Sequence, residues 1–557
     1  SRKLLEQDPL NPIANLVAGN IRLEDLRNID GAVRFSIDRS RGSGLDGTVA
    51  LIEPVLEDGG VVFVNRRNGA MSREVVSNDK NEAEVASETI TYFLRASLSG
   101  PLRAEALRNL SEAIHRAEQY EIGRIVAEEH VRDFPEQADA YLFLGLALYR
   151  QGDQEGAGRQ FKMALDLMPE AERLIFLDPK RIVSTSVEED YADLDETMAA
   201  DFWIRQNPQW SSVSNERLIE HQARLVYADL MWGRPQKGRR GWETELGRVF
   251  IRYGWPVVIA RYQDDRNVYF MMHYGYRYWL FLDMAKAGEA IFYSPSSTAY
   301  QGAGVSGRTQ DWVLLAREHF RDDPNRTQED QSQMITMAAL PSVFRDSQSR
   351  EVVISVCTPR NRFSEADILL VYDREANGPI PEGPMVKSFF ANPLCTGSLI
   401  RFDTDFKERQ VSVEAQGFGA RSVFRFDIGE QSDVSAFGAS DLLLADLVEE
   451  IDGTGGIRQP GSFVRGDHLI FPRSHARYTA GDPIYLYFEI YGIGITAQDP
   501  ETMLSIQAAL VSGKRARDIT PRLGRIFGRR EEAAVSVEFL DEVSEKSHAR
   551  YLIVETD

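Results

Sequence analysis

The N-terminal third of this 557-residue chain is constrained most by a spacing of 34 residues between matching small and apolar positions. Large apolar residues recur at helical intervals, and small residues stand where two helices would meet. The later copy places Tyr141, Leu144, Gly145, Leu148, Ala157, Phe161 and Pro169 in this pattern, and the earlier copy places Leu107, Leu110, Ile114, Gly123, Ala127 and Pro135. A period of this length predicts helix pairs that stack on one another.

These units resemble tetratricopeptide repeats. The stretch "LLEQDPLNPIANLVAGNIRLEDL" is similar to a third and earlier unit, with Pro9 in the closing position. About three repeats are needed for a stable array. We therefore predict a tetratricopeptide-like α-solenoid over residues 1–185. Its concave face is expected to bind protein through Tyr141, Leu144 and Tyr149.

One segment, near residues 33–84, interrupts the helical pattern. A β-rich run surrounds the turn signal Asp58-Gly59-Gly60, which predicts a hairpin. We interpret the segment as an insertion into the array.

A central α+β domain is predicted for residues 186–316. Its first part is helical, with Leu218, His221, Leu225 and Ala228 at three- to four-residue steps. In "GRVFIRYG" the alternation of Val249, Ile251 and Tyr253 predicts a strand. The apolar runs that follow predict a small antiparallel sheet, and residues 317–333 read as a polar linker.

The remaining chain has short alternating strands separated by Gly, Asp and Pro turns, which predicts two β-sandwiches, at 334–451 and 452–557. The whole chain is thus expected to be a multidomain α+β protein. The last segment, "ARYLIVETD", reads as a strand without a partner. We expect the natural chain to extend in both directions, with an export signal, a lipid-attachment cysteine and more helical repeat before residue 1 and closing strands after residue 557.

The composition excludes several classes of function. The net charge of −21 argues against binding along a phosphate backbone, so we predict no nucleic-acid partner. The two cysteines, Cys357 and Cys395, are too few for a disulfide scaffold or a thiolate zinc site. They could form one disulfide or remain as two buried thiols.

Chemical motifs are scarce. None of the eight histidines has the two-histidine spacing of a helical zinc site, and no phosphate-binding G-x-x-x-x-G-K-[ST] loop occurs. We therefore predict no catalytic residue, no metal and no cofactor, and we favour a protein that is not an enzyme.

The stretch "GWETELGRVFIRYGWP" resembles the GWxTD-domain family of bacteria. Glu245 replaces the aspartate of that motif. The other matching residues are Gly241, Trp242, Thr244, Gly247, Ile251, Tyr253, Gly254 and Pro256. The resemblance implies an exported protein, often lipid-anchored and often joined to tetratricopeptide repeats, in the periplasm or at the cell surface. It implies no established activity.

The motif has two interpretations. In the first, every motif residue has a structural role and Trp242 is buried between helices and sheet. In the second, the motif lines a surface groove around Trp242 and Glu245. The first interpretation predicts an exported, non-enzymatic scaffold that binds proteins, as an accessory subunit of a cell-envelope assembly. The alternative is a carbohydrate-binding or carbohydrate-processing accessory protein, with strand aromatics such as Tyr269, Tyr274 and Trp279 as a sugar platform.

Overall fold

Helices and antiparallel sheets both contribute to the computed structural model, so the predicted α+β class is confirmed. The structure describes residues 2–29, 52–57, 60–65, 79–98, 102–183, 188–212, 214–234, 237–256, 258–263, 268–274, 278–284, 288–292, 337–346, 348–357, 368–376, 378–389, 398–417, 420–430, 437–451, 461–479, 481–494, 502–510, 535–543 and 547–554. The chain forms two compact units, Ser1–Ser332 and Gln333–Asp557.

The first unit is mainly helical. Its described helices are α1 (Arg2–Gln7), α2 (Pro12–Ile29), α3 (Asp79–Ser97), α4 (Arg103–Arg116), α5 (Tyr120–Asp133), α6 (Ala138–Arg150), α7 (Gln154–Leu167), α8 (Glu170–Leu177), α9 (Glu196–Gln206), α10 (Glu216–Trp232) and α11 (Glu245–Tyr253). Short polar side chains fix several starts, since Asp153, Asp195 and Asn215 each accept a backbone N–H three residues on.

The predicted hairpin is present as β1 (Ile52–Glu57) and β2 (Gly60–Asn65), which pair antiparallel. It lies in sequence between α2 and α3, two helices that pack on each other. Helix α3 begins at Asp79, so the insertion ends earlier than the predicted residue 84.

Two helix pairs approach closely at a glycine. A Cβ added at Gly19 of α2 would lie 2.6 Å from the Phe93 ring of α3, and one added at Gly145 of α6 would lie 2.6 Å from the Phe161 ring of α7. Any larger side chain would force these helices apart, because packed interiors hold little free space.

The predicted strand 248–253 is wrong, because these residues lie in α11. Thr244 caps this helix by accepting the N–H of Gly247. Residues 249–252 are all buried, so the apparent alternation marks no single apolar face. The sheet begins later and has the order β3 (Val258–Gln263), β4 (Val268–His273), β5 (Tyr278–Asp283) and β6 (Ala290–Phe292).

One apolar core extends from Ala127 in α5 to Phe281 in β5. It includes residues of α6, α7, α10 and α11. The helical repeats and the motif region therefore share a core instead of separating at the predicted boundary between residues 185 and 186.

The second unit is built of antiparallel strands. They are β7 (Ala338–Arg345), β8 (Arg350–Cys357), β9 (Ile368–Glu375), β10 (Val386–Phe389), β11 (Ser398–Thr404), β12 (Arg409–Gly417), β13 (Ala420–Ile428), β14 (Gly438–Ala439), β15 (Leu443–Glu450), β16 (Phe463–Arg465), β17 (His468–Pro472), β18 (Ile484–Tyr491), β19 (Thr502–Leu510), β20 (Val535–Val543) and β21 (Ser547–Val554). The sheet orders are β10-β9-β12-β13, β11-β8-β7, β14-β18-β15-β17-β16 with β21 on β18, and β19-β20.

Strand β8 is buried on both faces. Val352, Ile354 and Val356 share a core with β9 and β12, whereas Val353 shares another with β15, β17 and β18. Successive side chains of a strand point to opposite faces, so a strand covered on both sides carries a nearly continuous apolar run. In "REVVISVC" this run extends from Val352 to Val356 and is interrupted only by Ser355.

Two expectations about the C-terminal strands need correction. Strands β14 and β15 precede the predicted boundary at 451/452, but both pair with β18 beyond it. Strand β21 has a partner, because it pairs antiparallel with β18 from Ser547 to Val554. The expectation that "ARYLIVETD" is a strand without a partner is wrong for this reason.

Candidate functional site

The GWxTD-like motif lies against the C-terminal end of α10, and Asp229 holds it there. The Asp229 carboxylate accepts the Gly241 N–H at 2.8 Å and pairs with Arg240 and with Arg108 of α4, each at 3.1 Å. Arg108 also donates to the Asp229 carbonyl at 3.0 Å. Arg116 of α4 donates to the Met231 carbonyl at 3.0 Å. Cations at a helix C-terminus stabilise its unpaired carbonyls.

At two motif positions another part of the backbone comes so close that only glycine fits. A Cβ at Gly241 would lie 1.9 Å from the carbonyl oxygen of Ala228 in α10. A Cβ at Gly247 would lie 2.0 Å from the carbonyl oxygen of Gly241. Backbone atoms have little freedom to move at these contacts. The motif glycines therefore allow the backbone at Gly241 to contact the backbone of α10 and the backbone at Gly247 of α11.

Trp242 is buried, as predicted, with 4% of its surface exposed. Its ring meets the Phe176 ring of α8 edge-on at 5.8 Å, and the Arg240 guanidinium lies 4.3 Å from its centre. The neighbours found at Trp242 are therefore helical side chains and a cation, and the indole offers no open groove.

The other motif residues have structural partners too. The Thr244 hydroxyl donates to the Gly241 carbonyl at 2.7 Å while capping α11. Glu245 lies in the first turn of α11, 3.5 Å from Arg248. Gly254 ends the helix at a φ of 79°, and its carbonyl accepts the Tyr274 hydroxyl at 3.1 Å.

Tyr253 ends α11, and Pro256 lies between α11 and the first strand of the sheet. The Tyr253 ring centre lies 5.5 Å from that of Trp279 in β5 and 5.7 Å from that of Tyr274. Pro256 follows the helix and is half-buried before β3. These contacts fit the structural interpretation of the motif.

The predicted protein-binding face of the repeats is not available. Tyr141, Leu144 and Tyr149 are all buried. Tyr149 stacks on Trp255 with ring centres 5.5 Å apart, and α10 packs along α4, α6 and α7. These three side chains are therefore covered within the chain itself and do not form an open surface.

Sequence reasoning also missed a buried charge network on α10. Glu220 pairs with Arg217 at 3.1 Å and with Arg224, and each of these side chains is about 2% exposed. Arg224 also donates to the Ile251 carbonyl of α11 at 3.0 Å. The three residues are spaced i, i+3 and i+7, and this spacing predicts that they lie on one face of the helix. The spacing does not predict that this face is buried.

Two histidines are buried in uncharged form. Burial lowers the pKa of His115 to about 4, against the opposing Ser111 carbonyl and with a further contribution from Arg150. Burial also lowers the pKa of His221 well below 6.5, helped by Arg217, Arg181 and Arg224. Neither ring nitrogen of His221 has a hydrogen-bond partner in the described part of the chain.

We expect the helical unit to lose stability as the pH falls from about 6.5 to 4. Between these pH values the two histidines are protonated in the unfolded chain but not in the folded chain. Their contribution to the free energy of unfolding is therefore fully present only above the pKa of the unfolded histidines. For His115 the loss reaches about 3 kcal/mol at pH 4. Urea unfolding of wild type and His115→Gln measures it. The variant should show a shallower loss, and equal pH profiles would contradict this assignment.

The sugar-platform alternative finds no support in the aromatic residues that the structure describes. Trp279 and Phe281 are buried in the core, and the Tyr274 hydroxyl is bonded to backbone. Asp264, an acid near the sheet that an enzyme could have used, lies outside the described residues, as does Tyr276.

Cys357, the last residue of β8, is disulfide-bonded. Cys395 lies outside the described residues, so its pairing with Cys357 stays a prediction. In the described ranges no three His, Cys, Asp or Glu side chains gather closely enough to hold a metal ion.

None of the helices described here has the length and apolar character that a membrane crossing requires. Comparison with protein-family models, with curated proteins and with solved structures finds no match to this chain.

Proposed function

We propose that this protein is an exported, non-enzymatic scaffold that binds another protein through its helical unit. The observation that carries the proposal is an apolar stripe on α2. Ile13, Val17 and Ile21 are 55%, 44% and 58% exposed. They recur every four residues, so they line one side of the helix. Exposed apolar patches of this kind mark interaction sites.

Internal similarity supports a tetratricopeptide-like array. Pro9 and Pro135 are 126 residues apart, and each carbonyl is bonded by a side chain six residues on: Asn15 at 2.9 Å and Tyr141 at 3.0 Å. The same offset relates Gly19 to Gly145, the two sites of close helix approach. We infer three helix pairs, α2/α3, α4/α5 and α6/α7, with the hairpin insertion inside the first.

In the second unit, shared cores support a layered sandwich arrangement. Apolar residues of β8 pack with β9 and β12 on one side and with β15 and β18 on the other. Arg465 of β16 forms a bidentate pair with Glu489 of its own sheet, at 2.5 and 2.9 Å, and also contacts Glu351 of β8 in a different sheet. We propose a rigid β-sandwich support for the scaffold.

Export is supported by the bonded state of Cys357, since disulfides persist in oxidising compartments. We expect the native protein to carry no free thiol and to gain two alkyl groups only after reduction. Intact-mass measurement after alkylation, with and without reductant, checks this. Two alkyl groups without reductant would contradict an oxidising location.

The binding proposal is tested by photo-cross-linking in cells of the source organism. A photoreactive amino acid at position 21 should give a discrete protein adduct. The same amino acid at position 163 is the matched control, since Met163 on α7 is also exposed, at 45%. No adduct at position 21, or equal adducts at both positions, would overturn the proposed function.

A further inference from the structure

A buried histidine on α10 lacks the hydrogen bonds that buried polar groups normally make. His221 is 1% exposed, and neither of its ring nitrogens has a partner among the described residues. The Trp203 ring of α9 lies against it, with ring centres 4.8 Å apart. A buried polar atom without a partner is costly, so a native protein commonly supplies a water molecule or an ion at such a position.

Three arginine side chains lie near this histidine. Burial is the first cause that lowers the pKa of His221. Three arginines lower this pKa further: Arg217, Arg181 and Arg224. Among the residues that the structure describes, no carboxylate raises this pKa in return. The imidazole therefore lies at a position of positive potential.

Two of these arginines have an N–H group without an acceptor. Arg224 is 2% exposed, and its terminal nitrogens bond to Glu220 and to the Ile251 carbonyl of α11. Its Nε has no partner in the described part of the chain. Arg181, between α8 and α9, donates from Nη1 to the Trp242 carbonyl at 3.4 Å, and within the same ranges its buried Nε has no acceptor. A guanidinium N–H can only donate.

These unused groups favour an anion over a water molecule. A water molecule accepts at most two hydrogen bonds and brings two hydrogens of its own, for which His221 offers one acceptor. An anion accepts from every donor, and the nearby guanidinium charges stabilise it. His221 and Arg224 are at most 2% exposed, so the position is closed to solvent and suits a small ion.

We propose that a small monovalent anion such as chloride binds beside His221 and accepts hydrogen bonds from His221, Arg224 and Arg181. The anion connects α10 to the GWxTD-like motif, because Arg224 also bonds to α11 and Arg181 also bonds to the Trp242 carbonyl. The site lies inside the first unit and is independent of the proposed binding to another protein.

Unfolding at different chloride concentrations tests the site. The 557-residue chain is unfolded in urea while gluconate replaces chloride stepwise at constant ionic strength, so that the screening of surface charges stays the same. An ion that binds only the folded chain stabilises it by mass action. Each tenfold increase in chloride above its dissociation constant should therefore raise the free energy of unfolding by about 1.4 kcal/mol. A free energy that does not change with chloride would contradict the proposal.

A pair of histidine variants locates the ion. His221→Phe keeps an aromatic ring against Trp203 but removes both nitrogens. It should weaken chloride binding at least about tenfold, the factor expected for one hydrogen bond to a charged group. His115→Gln is the matched control, since His115 is also buried but bonds to the Ser111 carbonyl at 2.9 Å, and it should keep the chloride dependence of wild type. Equal chloride dependence in wild type and His221→Phe would place the ion elsewhere and reject this site.

Crystals of the wild-type chain grown with bromide in place of chloride give a second measurement, which needs no variant to fold. The anomalous difference map should show a peak in contact with a ring nitrogen of His221 and with Nε of Arg224. A water molecule at that position, or no density there, would overturn the proposal.

Discussion

Replacing Gly241 by alanine is expected to destabilise the helical unit by about 4 kcal/mol or more, at the upper end for a single substitution. The new Cβ would lie 1.9 Å from the Ala228 carbonyl oxygen and 2.5 Å from the Asp229 Cα. Relief requires α10 and the motif to separate. Separation also breaks the bond from the Gly241 N–H to Asp229. Urea unfolding followed by far-ultraviolet circular dichroism measures the loss.

Gly238→Ala is the matched control in the same loop. Gly238 has a φ of 66° and no atom within 4 Å of an added Cβ, so alanine there meets only backbone strain. The expected cost is about 1 kcal/mol. Equal effects of the two substitutions would show that close packing on α10 is not what position 241 requires.

Trp242→Ala should cost about 3–5 kcal/mol, the range for truncating a buried aromatic side chain. The change removes the edge contact with Phe176 and the cation–π contact with Arg240. It leaves a cavity against Phe176 of α8. The measurement is the urea midpoint of the helical unit in the full chain.

Trp242→Phe is the companion variant and should retain part of this stability by keeping an aromatic ring against Phe176. An unchanged midpoint for Trp242→Ala would reject the structural role of the motif. That result would instead favour the groove interpretation, in which Trp242 contacts a ligand.

Structural features that depend on residues close together in the chain were predictable from the sequence. The 34-residue spacing located α4 to α7, and Asp58-Gly59-Gly60 located the hairpin. The burial of Trp242 was predicted correctly, although the pattern after it that was read as a strand is helix α11. In each case neighbours in the chain determine the structure, through turns, caps or helical periodicity.

Long-range packing was not predictable in the same way. "GRVFIRYG" alternates like a strand, but its helix is fixed by the Thr244 cap and by burial on several sides. The surface of Tyr141 and Tyr149 looks like a repeat's binding face. Only the tertiary structure reveals that Trp255 stacks on Tyr149 and that α10, dozens of residues later, packs along α6. A single sequence contains no signal for which face a later helix will fill.

The account as a whole claims that α10 is an integral part of the helical unit and shares one core with α6. Hydrogen exchange of the 557-residue chain tests this claim most directly. We predict that peptides from α10 exchange as slowly as those from α6. Exchange of α10 well ahead of α6 would contradict the account.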